Sequence, residues 1–374
     1  MFQTWYIASQ VVDATDSPRA VRVLIWPRWF ANPYLPRLMD GLRQQGIEAF
    51  SAPSLLTASL RLRPGDWVHL HWPGEALTAK SAWLYRLGAS VLKSQLLYLK
   101  RRGIRIAWTA HNLVPHDDPH PELGFRARQD LLAIVDHVFV HFAEARKELA
   151  DAFGYDGPCT VTCHPNYIDD YPAPPSRDDA RTDLGLPSRG FVALAFGRIR
   201  PYKGVCEIIE AFELVAGDDD RLIIAGCPEG DVSEVVALAE KSPKIILDAR
   251  NVPSDEVSTY FAAADAAVIG HRDFFTSGSA ILALSMGCPV VGPNAHHLTD
   301  LAGGERLFVA EPTVSGLADG LTRAREAAPA VNREVIRAWA EAHGSWQSLA
   351  SAASDVFTTA PVAQTADRPE PVCL

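Results

Sequence analysis

Three cations lie close together in the stretch 196–204, FGRIRPYKG. The apolar run 191–196 predicts a buried strand, and the run 205–217 predicts an amphipathic helix. A basic turn between a strand's carboxyl end and a helix start attracts anions, because unpaired N–H groups and the helix dipole favour negative charge there. Arginine offers a planar pair of donors and lysine a mobile charge, so a pyrophosphate fits; a solvated basic loop is the alternative. The cations are Arg198, Arg200 and Lys203.

A second candidate for phosphate binding opens the predicted helix at 277–286. Its first residues offer backbone N–H groups and two hydroxyls to phosphate oxygens. Two such segments in one domain indicate a diphosphate site more specifically than either segment does by itself. The residues that we predict to form this site are Gly197, Arg198, Arg200, Tyr202, Lys203, Gly204, Ser277, Gly278 and Ser279.

The densest group of acid and base side chains follows the predicted strand at 104–110. Another predicted strand, at 66–73, carries two histidines on one face and is followed by a glutamate. In open α/β sheets ligands bind at the carboxyl ends of the strands, so these side chains should face a cleft. Helix capping and solvated loops are the alternatives. The side chains are His71, Glu75, His111, Asn112, His116, Asp117 and Asp118, together with Asn32 and Tyr34 at the join between the first loop and its helix.

The elements that position these residues alternate between strand and helix. In the second half, strands are predicted at 191–196, 221–226, 244–249, 266–270 and 289–292, with a helix between each pair. This alternation is typical of a doubly wound parallel sheet, and the first half follows the same plan. The fold class is therefore α/β, with two Rossmann-like domains facing a cleft. The predicted domains are a lead-in (1–20), a first Rossmann-like domain (21–170), a second (171–330), a C-terminal helix crossing back to the first (331–358) and a disordered tail (359–374).

Composition excludes several classes of protein. A chain of 374 residues is long enough for two domains, and its net charge of −10 argues against a nucleic-acid binder that uses its whole surface. The six cysteines are scattered, and no third ligand lies near His69 and His71, so a metal site is not predicted. The N-terminus lacks the pattern of a signal peptide, which favours a cytoplasmic protein with reduced thiols.

The stretch 80–105 contains seven Lys and Arg residues and no Asp or Glu. Apolar residues recur in it near helical spacing. A basic amphipathic helix is typical of binding to an anionic membrane surface. The alternative is a helix that packs on its own sheet with a solvated basic face. The apolar residues are Trp83, Leu84, Leu87, Val91, Leu92, Leu96 and Leu99.

Several of these stretches together resemble a known family. The pattern G-R-x-x-x-x-K-G at 197–204 resembles the donor domain of glycosyltransferases with the GT-B architecture. More closely, the chain resembles the xanthan-type GDP-mannose:glycolipid β-1,4-mannosyltransferases of glycosyltransferase family 94. The stretches that carry this resemblance are 32–42 (NPYLPRLMDGL), 68–73 (VHLHWP), 111–118 (HNLVPHDD), 196–205 (FGRIRPYKGV) and 277–291 (SGSAILALSMGCPVV).

The resemblance implies an inverting, metal-independent transfer of mannose from GDP-mannose to a polyprenyl-diphosphate-linked oligosaccharide, at the inner face of the cell membrane. Retaining relatives with this architecture carry two glutamates where Phe274 and Leu282 stand here, and their absence fits an inverting enzyme. The three cations would neutralise the leaving diphosphate, and the first domain would supply the base. Predicted catalytic residues are Asp117 and Asp118, with His116, and Glu75 as the runner-up; predicted acceptor-binding residues are Asn32, Tyr34, His71, His111 and Asn112.

Three other functions stay open on the sequence. The chain is compatible with a retaining hexosyl- or glucuronosyltransferase that uses a UDP-sugar, which the anomeric configuration of the product would reveal. A sugar-nucleotide epimerase is a further enzyme with this architecture. A bilobed sugar-binding protein also has two α/β domains, but such proteins are usually exported and lack a basic phosphate-binding loop.

Overall fold

The computed structural model describes residues 19–28, 33–77, 79–114, 118–271, 275–293 and 306–359, with the backbone alone at 75 and 76. The N-terminal domain is built on a six-stranded sheet in the order β2-β1-β3-β4-β5-β6, and every neighbouring pair is parallel. Its strands are β1 (Arg22–Trp26), β2 (Glu48–Ser51), β3 (Trp67–Leu70), β4 (Arg105–Thr109), β5 (His137–Val140) and β6 (Cys159–Val161).

The C-terminal domain has a second parallel sheet of six strands, in the order β12-β11-β10-β7-β8-β9. This order, with the first strand at the centre, is that of dinucleotide-binding domains. The predicted fold class, two Rossmann-like domains, is confirmed. The strands are β7 (Val192–Phe196), β8 (Arg221–Ala225), β9 (Ile245–Asp248), β10 (Ala266–Val268), β11 (Val290–Gly292) and β12 (Leu307–Val309).

Helices cover both sheets. Those of the N-terminal domain are α1 (Tyr34–Gln44), α2 (Leu55–Ser59), α3 (Ala82–Arg101), α4 (Pro121–Leu132) and α5 (Glu144–Phe153). Those that follow are α6 (Arg177–Asp183), α7 (Val205–Val215), α8 (Ser233–Ala239), α9 (Val257–Ala263), α10 (Gly278–Ser285), α11 (Val314–Ala327), α12 (Arg333–His343) and α13 (Trp346–Thr358). Short 3-10 helices span Pro73–Ala76 and Pro201–Lys203.

The strands are buried on both faces, as parallel strands between two helical layers must be. In β1, Leu24 belongs to a core on one side of the sheet, whereas Val23 and Ile25 belong to the core on the other side. This alternation follows from the two-residue period of a strand. It explains why the strands appear in the sequence as continuous apolar runs.

The last helix that the structure describes, α13, returns to the N-terminal domain. On α13, Leu349, Ala353 and Phe357 join the core beneath β1, and Trp67 Nε1 donates a hydrogen bond of 3.0 Å to the Phe357 carbonyl. The sequence predicts one helix from about 331 to 357, and the structure breaks it at Gly344. The backbone there is extended, and its carbonyl accepts a hydrogen bond of 3.0 Å from the Asn166 N–H.

The run before β7, which is rich in proline, aspartate and arginine, contains α6, and this helix is part of the C-terminal domain. Arg181 on this helix is buried and donates to the Ala263 carbonyl at 3.1 Å and to Asp265 Oδ2 at 2.7 Å. A run rich in proline, aspartate and arginine is typical of a loop, but here a buried arginine anchors it to its own sheet.

Helix α3 has two different apolar faces. Leu96 and Leu99 are buried in the core, whereas Trp83, Leu87 and Val91 are exposed, Trp83 by 67%. Some apolar residues of 80–105 therefore pack on the N-terminal sheet, and others form an exposed surface. The sequence had offered packing on the sheet and binding to a membrane as alternatives. In the part of the chain that the structure describes, no helix is long and apolar enough to cross a membrane.

Candidate active site

The two segments predicted to bind a diphosphate lie together at the carboxyl edge of the C-terminal sheet. β7 ends at Phe196, and Gly197 follows with a φ of 116°. A Cβ at Gly197 would lie 3.3 Å from Ser279 Oγ and 3.4 Å from Lys203 Nζ. A lysine amine and a serine hydroxyl therefore converge on a glycine that leaves room for a ligand.

Gly204 has a structural reason to be glycine. Its φ is 66°, and a Cβ there would lie 2.3 Å from the carbonyl oxygen of Gly270, at the exit of β10. The basic turn therefore packs directly against the neighbouring strand exit. This close approach lets Lys203 reach the edge of the sheet beside Gly197.

An acidic residue that the sequence analysis missed lies against the basic turn. Glu229, after β8, pairs with Arg198 at 3.0 Å and also with Arg200. The Glu229 carboxylate therefore balances part of the positive charge of the turn. Burial, followed by repulsion from Arg200 and Arg198, lowers the pKa of Lys203 to about 8. An anion placed here relieves that repulsion.

Helix α10 begins between the two domains. The hydroxyl oxygen of Ser277 accepts a hydrogen bond of 3.2 Å from the Ala280 N–H, so this predicted phosphate ligand also caps the helix. A Cβ at Gly278 would lie 3.6 Å from the Tyr167 hydroxyl. Leu282, which stands where retaining relatives carry a glutamate, is buried in the core of the C-terminal domain.

Four consecutive strands of the N-terminal sheet are each followed by a histidine at the carboxyl edge. These residues, His71, His111, His141 and His164, form what we call the histidine cluster. Tyr34, at the start of α1, lies among them, with ring centroids 4.9–5.7 Å from each imidazole. Tyr34, His71 and His111 were predicted from the sequence, and the structure brings them together.

Hydrogen bonds connect the histidine cluster. His71 Nδ1 lies 3.0 Å from His111 Nε2, and His141 Nε2 lies 3.0 Å from the Tyr34 hydroxyl. Burial lowers the pKa of all four imidazoles below its ordinary value, and their mutual proximity adds to this effect for His71, His111 and His141. The cluster is therefore neutral at physiological pH.

The sequence analysis missed His141 and His164 in this cluster. Each lies just past a short strand, β5 or β6, in a segment without a recognisable motif. The signal that was available is positional, because a histidine after each of four neighbouring strands places all four at one edge of a parallel sheet. Asn112, predicted with His111, is half-buried, and Asn32 lies outside the described residues.

The structure describes only one of the predicted catalytic side chains, that of Asp118. His116 and Asp117 lie outside the described residues, as does the side chain of Glu75. Asp118 accepts a hydrogen bond of 2.7 Å from the Tyr85 hydroxyl and one of 2.8 Å from the His120 N–H. Its carboxylate is thus held between α3 and the start of α4, and its catalytic role stays a prediction.

The two domains meet beside the histidine cluster. The Thr276 hydroxyl donates a hydrogen bond of 2.9 Å to the His111 carbonyl, and Phe275 packs on Phe142 with ring centroids 5.0 Å apart. A cavity of about 240 Å³ lies between the domains. Its lining includes His141, Cys163 and His164 from one domain and Thr276, Ser277 and His343 from the other.

Metal binding was not predicted. Among the described residues, no group of three or more His, Cys, Asp or Glu side chains has an arrangement that holds a metal ion. His69 Nε2 instead lies 2.7 Å from the Thr109 hydroxyl, within the sheet.

The arrangement defines a class of protein. Two parallel sheets present their carboxyl edges to a shared cleft, one edge basic and the other lined with imidazoles. Residues 190–326 match the family model described as glycosyl transferases group 1. The chain is a glycosyltransferase with the GT-B architecture.

Comparison with known proteins confirms the resemblance inferred from the sequence. The chain is 26% identical over 298 residues to a GDP-mannose:glycolipid 4-beta-D-mannosyltransferase of Xanthomonas campestris pv. campestris, covering 76% of this chain and 78% of that protein. It is also 26% identical over 341 residues to a D-inositol 3-phosphate glycosyltransferase of Geodermatophilus obscurus, covering 83% of this chain and 70% of that protein.

Solved structures share the fold. A sucrose-phosphate synthase from Thermosynechococcus elongatus superposes with a TM-score of 0.72 at 16% identity, over 91% of this chain and 98% of that chain. Anabaena HepE in complex with UDP superposes with a TM-score of 0.67 at 14% identity, over 91% of this chain and 100% of that chain.

Proposed function

We propose that the protein is an inverting glycosyltransferase that moves mannose from GDP-mannose onto a polyprenyl-diphosphate-linked oligosaccharide in exopolysaccharide biosynthesis. The convergence of Lys203 Nζ and Ser279 Oγ on Gly197 is the observation that carries this proposal. The named activity of the Xanthomonas campestris relative supports the choice of sugar, nucleotide and lipid-linked acceptor.

The basic turn suits a leaving nucleoside diphosphate. In an inverting transfer, the bond between the anomeric carbon and the diphosphate breaks as the acceptor oxygen attacks, so negative charge develops on the phosphate oxygens. Lys203 and the N–H groups at the start of α10 are fixed before this charge appears. Pre-positioned donors of this kind stabilise a developing anion without reorganisation. The proposed transfer therefore needs no metal ion.

The histidine cluster suits a sugar acceptor. Aromatic faces and neutral imidazoles offer stacking surfaces and hydrogen bonds, both of which a sugar with many hydroxyls can use. Trp72 stacks on His111 with ring centroids 4.2 Å apart. We assign acceptor binding to Tyr34, His71 and His111, together with Asn112 and the undescribed Asn32.

A lipid-linked acceptor requires work at a membrane, and the outer face of α3 supports a peripheral attachment there. Trp83, Leu87 and Val91 are exposed, and nearby cations are available for anionic lipids. Arg86 and Arg101 are exposed and make no ion pair with any residue that the structure describes. Lys93 and Lys100, by contrast, pair with Asp130 and Asp136. Tyr85 on the same helix is buried, so it is not part of this outer face.

The test is a direct assay. The purified protein is incubated with GDP-mannose, UDP-glucose or UDP-glucuronate and an oligosaccharide linked to polyprenyl diphosphate, and the product linkage is read by NMR. We expect transfer from GDP-mannose with inversion at the anomeric carbon. Transfer from a UDP-sugar with retention would establish the competing retaining enzyme, and conversion of the nucleotide sugar without acceptor would establish an epimerase.

A further inference from the structure

The last strand of the N-terminal sheet is followed by a histidine that the sequence motifs do not single out. His164 is half-buried, comes three residues after the end of β6, and lines the cavity between the domains. We propose, resting on the inverting transfer proposed above, that Nε2 of His164 accepts the proton of the acceptor hydroxyl during transfer.

A hydrogen bond fixes which ring nitrogen of His164 carries the proton. Nδ1 lies 3.0 Å from the carbonyl oxygen of Pro165. Because a carbonyl oxygen only accepts, Nδ1 holds the proton of the neutral ring and Nε2 keeps its lone pair. No residue in the described part of the chain makes a hydrogen bond to Nε2. The ring is therefore oriented as a base, with its lone pair available to a substrate.

The neighbouring imidazoles are engaged within their own domain. His141 uses both ring nitrogens, Nε2 with the Tyr34 hydroxyl at 3.0 Å and Nδ1 with the Thr162 hydroxyl at 3.2 Å. His71 Nδ1 bonds to His111 Nε2 at 3.0 Å; His71 Nε2 is buried without a hydrogen-bond partner among the described residues, but His71 does not line the cavity. Both His141 and His164 line the cavity, and of these two only His164 keeps Nε2 without a hydrogen bond to a described residue.

The start of α10 places His164 near the reacting carbon. Ser279 contacts the space beside Gly197 where the diphosphate would bind, and Ser277 lines the same cavity as His164. Residues two positions apart are separated by at most about 7 Å. The predicted donor site and the cavity that His164 lines are therefore adjacent, and the proposal places the sugar of the bound donor in that cavity.

The protonation state of His164 suits a proton acceptor. Burial lowers its pKa to about 4, so the free protein holds a neutral imidazole at physiological pH. Binding of the donor brings the negative charge of a diphosphate into the cleft, and a nearby negative charge favours the imidazolium form. The driving force for proton transfer thus increases only when the donor is present.

The step balances as a single displacement. The acceptor O–H gives its proton to Nε2, and the oxygen lone pair forms the bond to the anomeric carbon. The bond between that carbon and the diphosphate oxygen breaks, and its electron pair leaves with the nucleoside diphosphate, whose charge Lys203 balances. The proton on His164 then passes to solvent.

The experiment compares His164→Asn and His164→Ala with the wild type. Asparagine keeps an N–H donor for the Pro165 carbonyl and removes the basic lone pair. We expect His164→Asn to lower kcat by about 10²–10⁴-fold, with little change in the KM for the donor. The rise in Tm on adding GDP, read in parallel, should equal that of the wild type.

Rescue of the transfer rate by added imidazole distinguishes a catalytic base from a residue that only stabilises the fold. Added imidazole should restore at least about tenfold in rate to His164→Ala and leave the wild type unchanged. The matched control is His137→Gln, a histidine at the opposite end of β5 that bonds the Thr160 hydroxyl at 2.8 Å; it should transfer at nearly the wild-type rate.

Several outcomes would overturn the assignment. Wild-type kcat in His164→Asn, or loss of activity in His164→Ala without any rescue by imidazole, excludes His164 as the proton acceptor. Loss of transfer in Asp117→Asn or Glu75→Gln, with His164→Asn still active, identifies the carboxylate as the base. A product with retained configuration would instead overturn the proposed inverting function itself.

Discussion

The carboxyl edges of the two sheets differ in charge although they arise from the same architecture. The edge of the C-terminal sheet carries Lys203, Arg198 and Arg200, and the Glu229 carboxylate pairs with the two arginines. The edge of the N-terminal sheet carries four imidazoles whose pKa burial lowers. One edge thus suits an anion and the other a neutral polar molecule.

This difference shows how one fold divides a reaction between two domains. In a parallel sheet, every strand delivers its following residue to the same edge, so the fold fixes the positions and leaves the residue types open. In the inverting transfer proposed above, positive charge is needed at the leaving group and an unprotonated base at the attacking hydroxyl. In this proposal the two edges supply these separately, because cations beside the histidines would lower their basicity further.

The largest expected effect is the loss of turnover when a cation is removed from the basic edge. Lys203→Ala should lower turnover by about two to four orders of magnitude, because a charge partner of the leaving diphosphate is lost. Steady-state kinetics with GDP-mannose measure it. The matched control is Lys241→Ala, an exposed lysine that follows α8. A folded Lys203→Ala protein with near-normal turnover would contradict the diphosphate assignment.

The second largest expected effect is on the pH dependence of nucleotide binding at the basic edge. Lys203 has a pKa lowered to about 8, so below that pH it is charged in the free protein and GDP binds without proton uptake. Above it, binding must take up a proton, and Kd should rise up to about tenfold per pH unit. Calorimetry at several pH values measures this. If Lys203→Ala kept the wild-type dependence of Kd on pH, the titrating group would be another residue.

Membrane binding is expected of the N-terminal domain alone. Arg101→Gln should weaken co-sedimentation with anionic vesicles about fivefold, because each cation near such a surface contributes about 1 kcal/mol. The loss should shrink at high salt. Lys241→Gln, an exposed cation of the other domain, is the control and should bind as the wild type does. If the protein bound neutral vesicles as well as anionic ones, the attraction of α3 to lipid would not be electrostatic.

The smallest expected effect concerns Asp118. Two hydrogen bonds from its own domain hold this carboxylate, so Asp118→Asn should lower the free energy of unfolding by about 1 kcal/mol. Transfer should fall less than about tenfold. Asp130→Asn, an exposed carboxylate on α4, serves as the control in urea unfolding. Abolished transfer at unchanged stability would instead make Asp118 the base that the sequence suggested.

Local patterns were enough to predict the sheets but not every element. The long apolar runs of β1, β3, β4, β7 and β8 were recognised, because strands buried on both faces need apolar residues throughout. The short β2 and β12 were missed, since four and three residues carry too little periodicity. Helix α11 was also missed, although it packs on β11 and β12 and shields that end of the sheet.

In the site, too, local sequence patterns predict some features, and tertiary structure decides others. The sequence by itself determined the basic turn, because its cations, its glycines and the flanking strand and helix all lie between residues 191 and 217. Tertiary structure decided that Glu229 would pair with two of those cations, that α3 would expose one apolar face and bury another, and that His141 and His164 would join His71 and His111. These contacts join residues far apart in the chain, and their distances depend on how six strands are ordered, which no local pattern records.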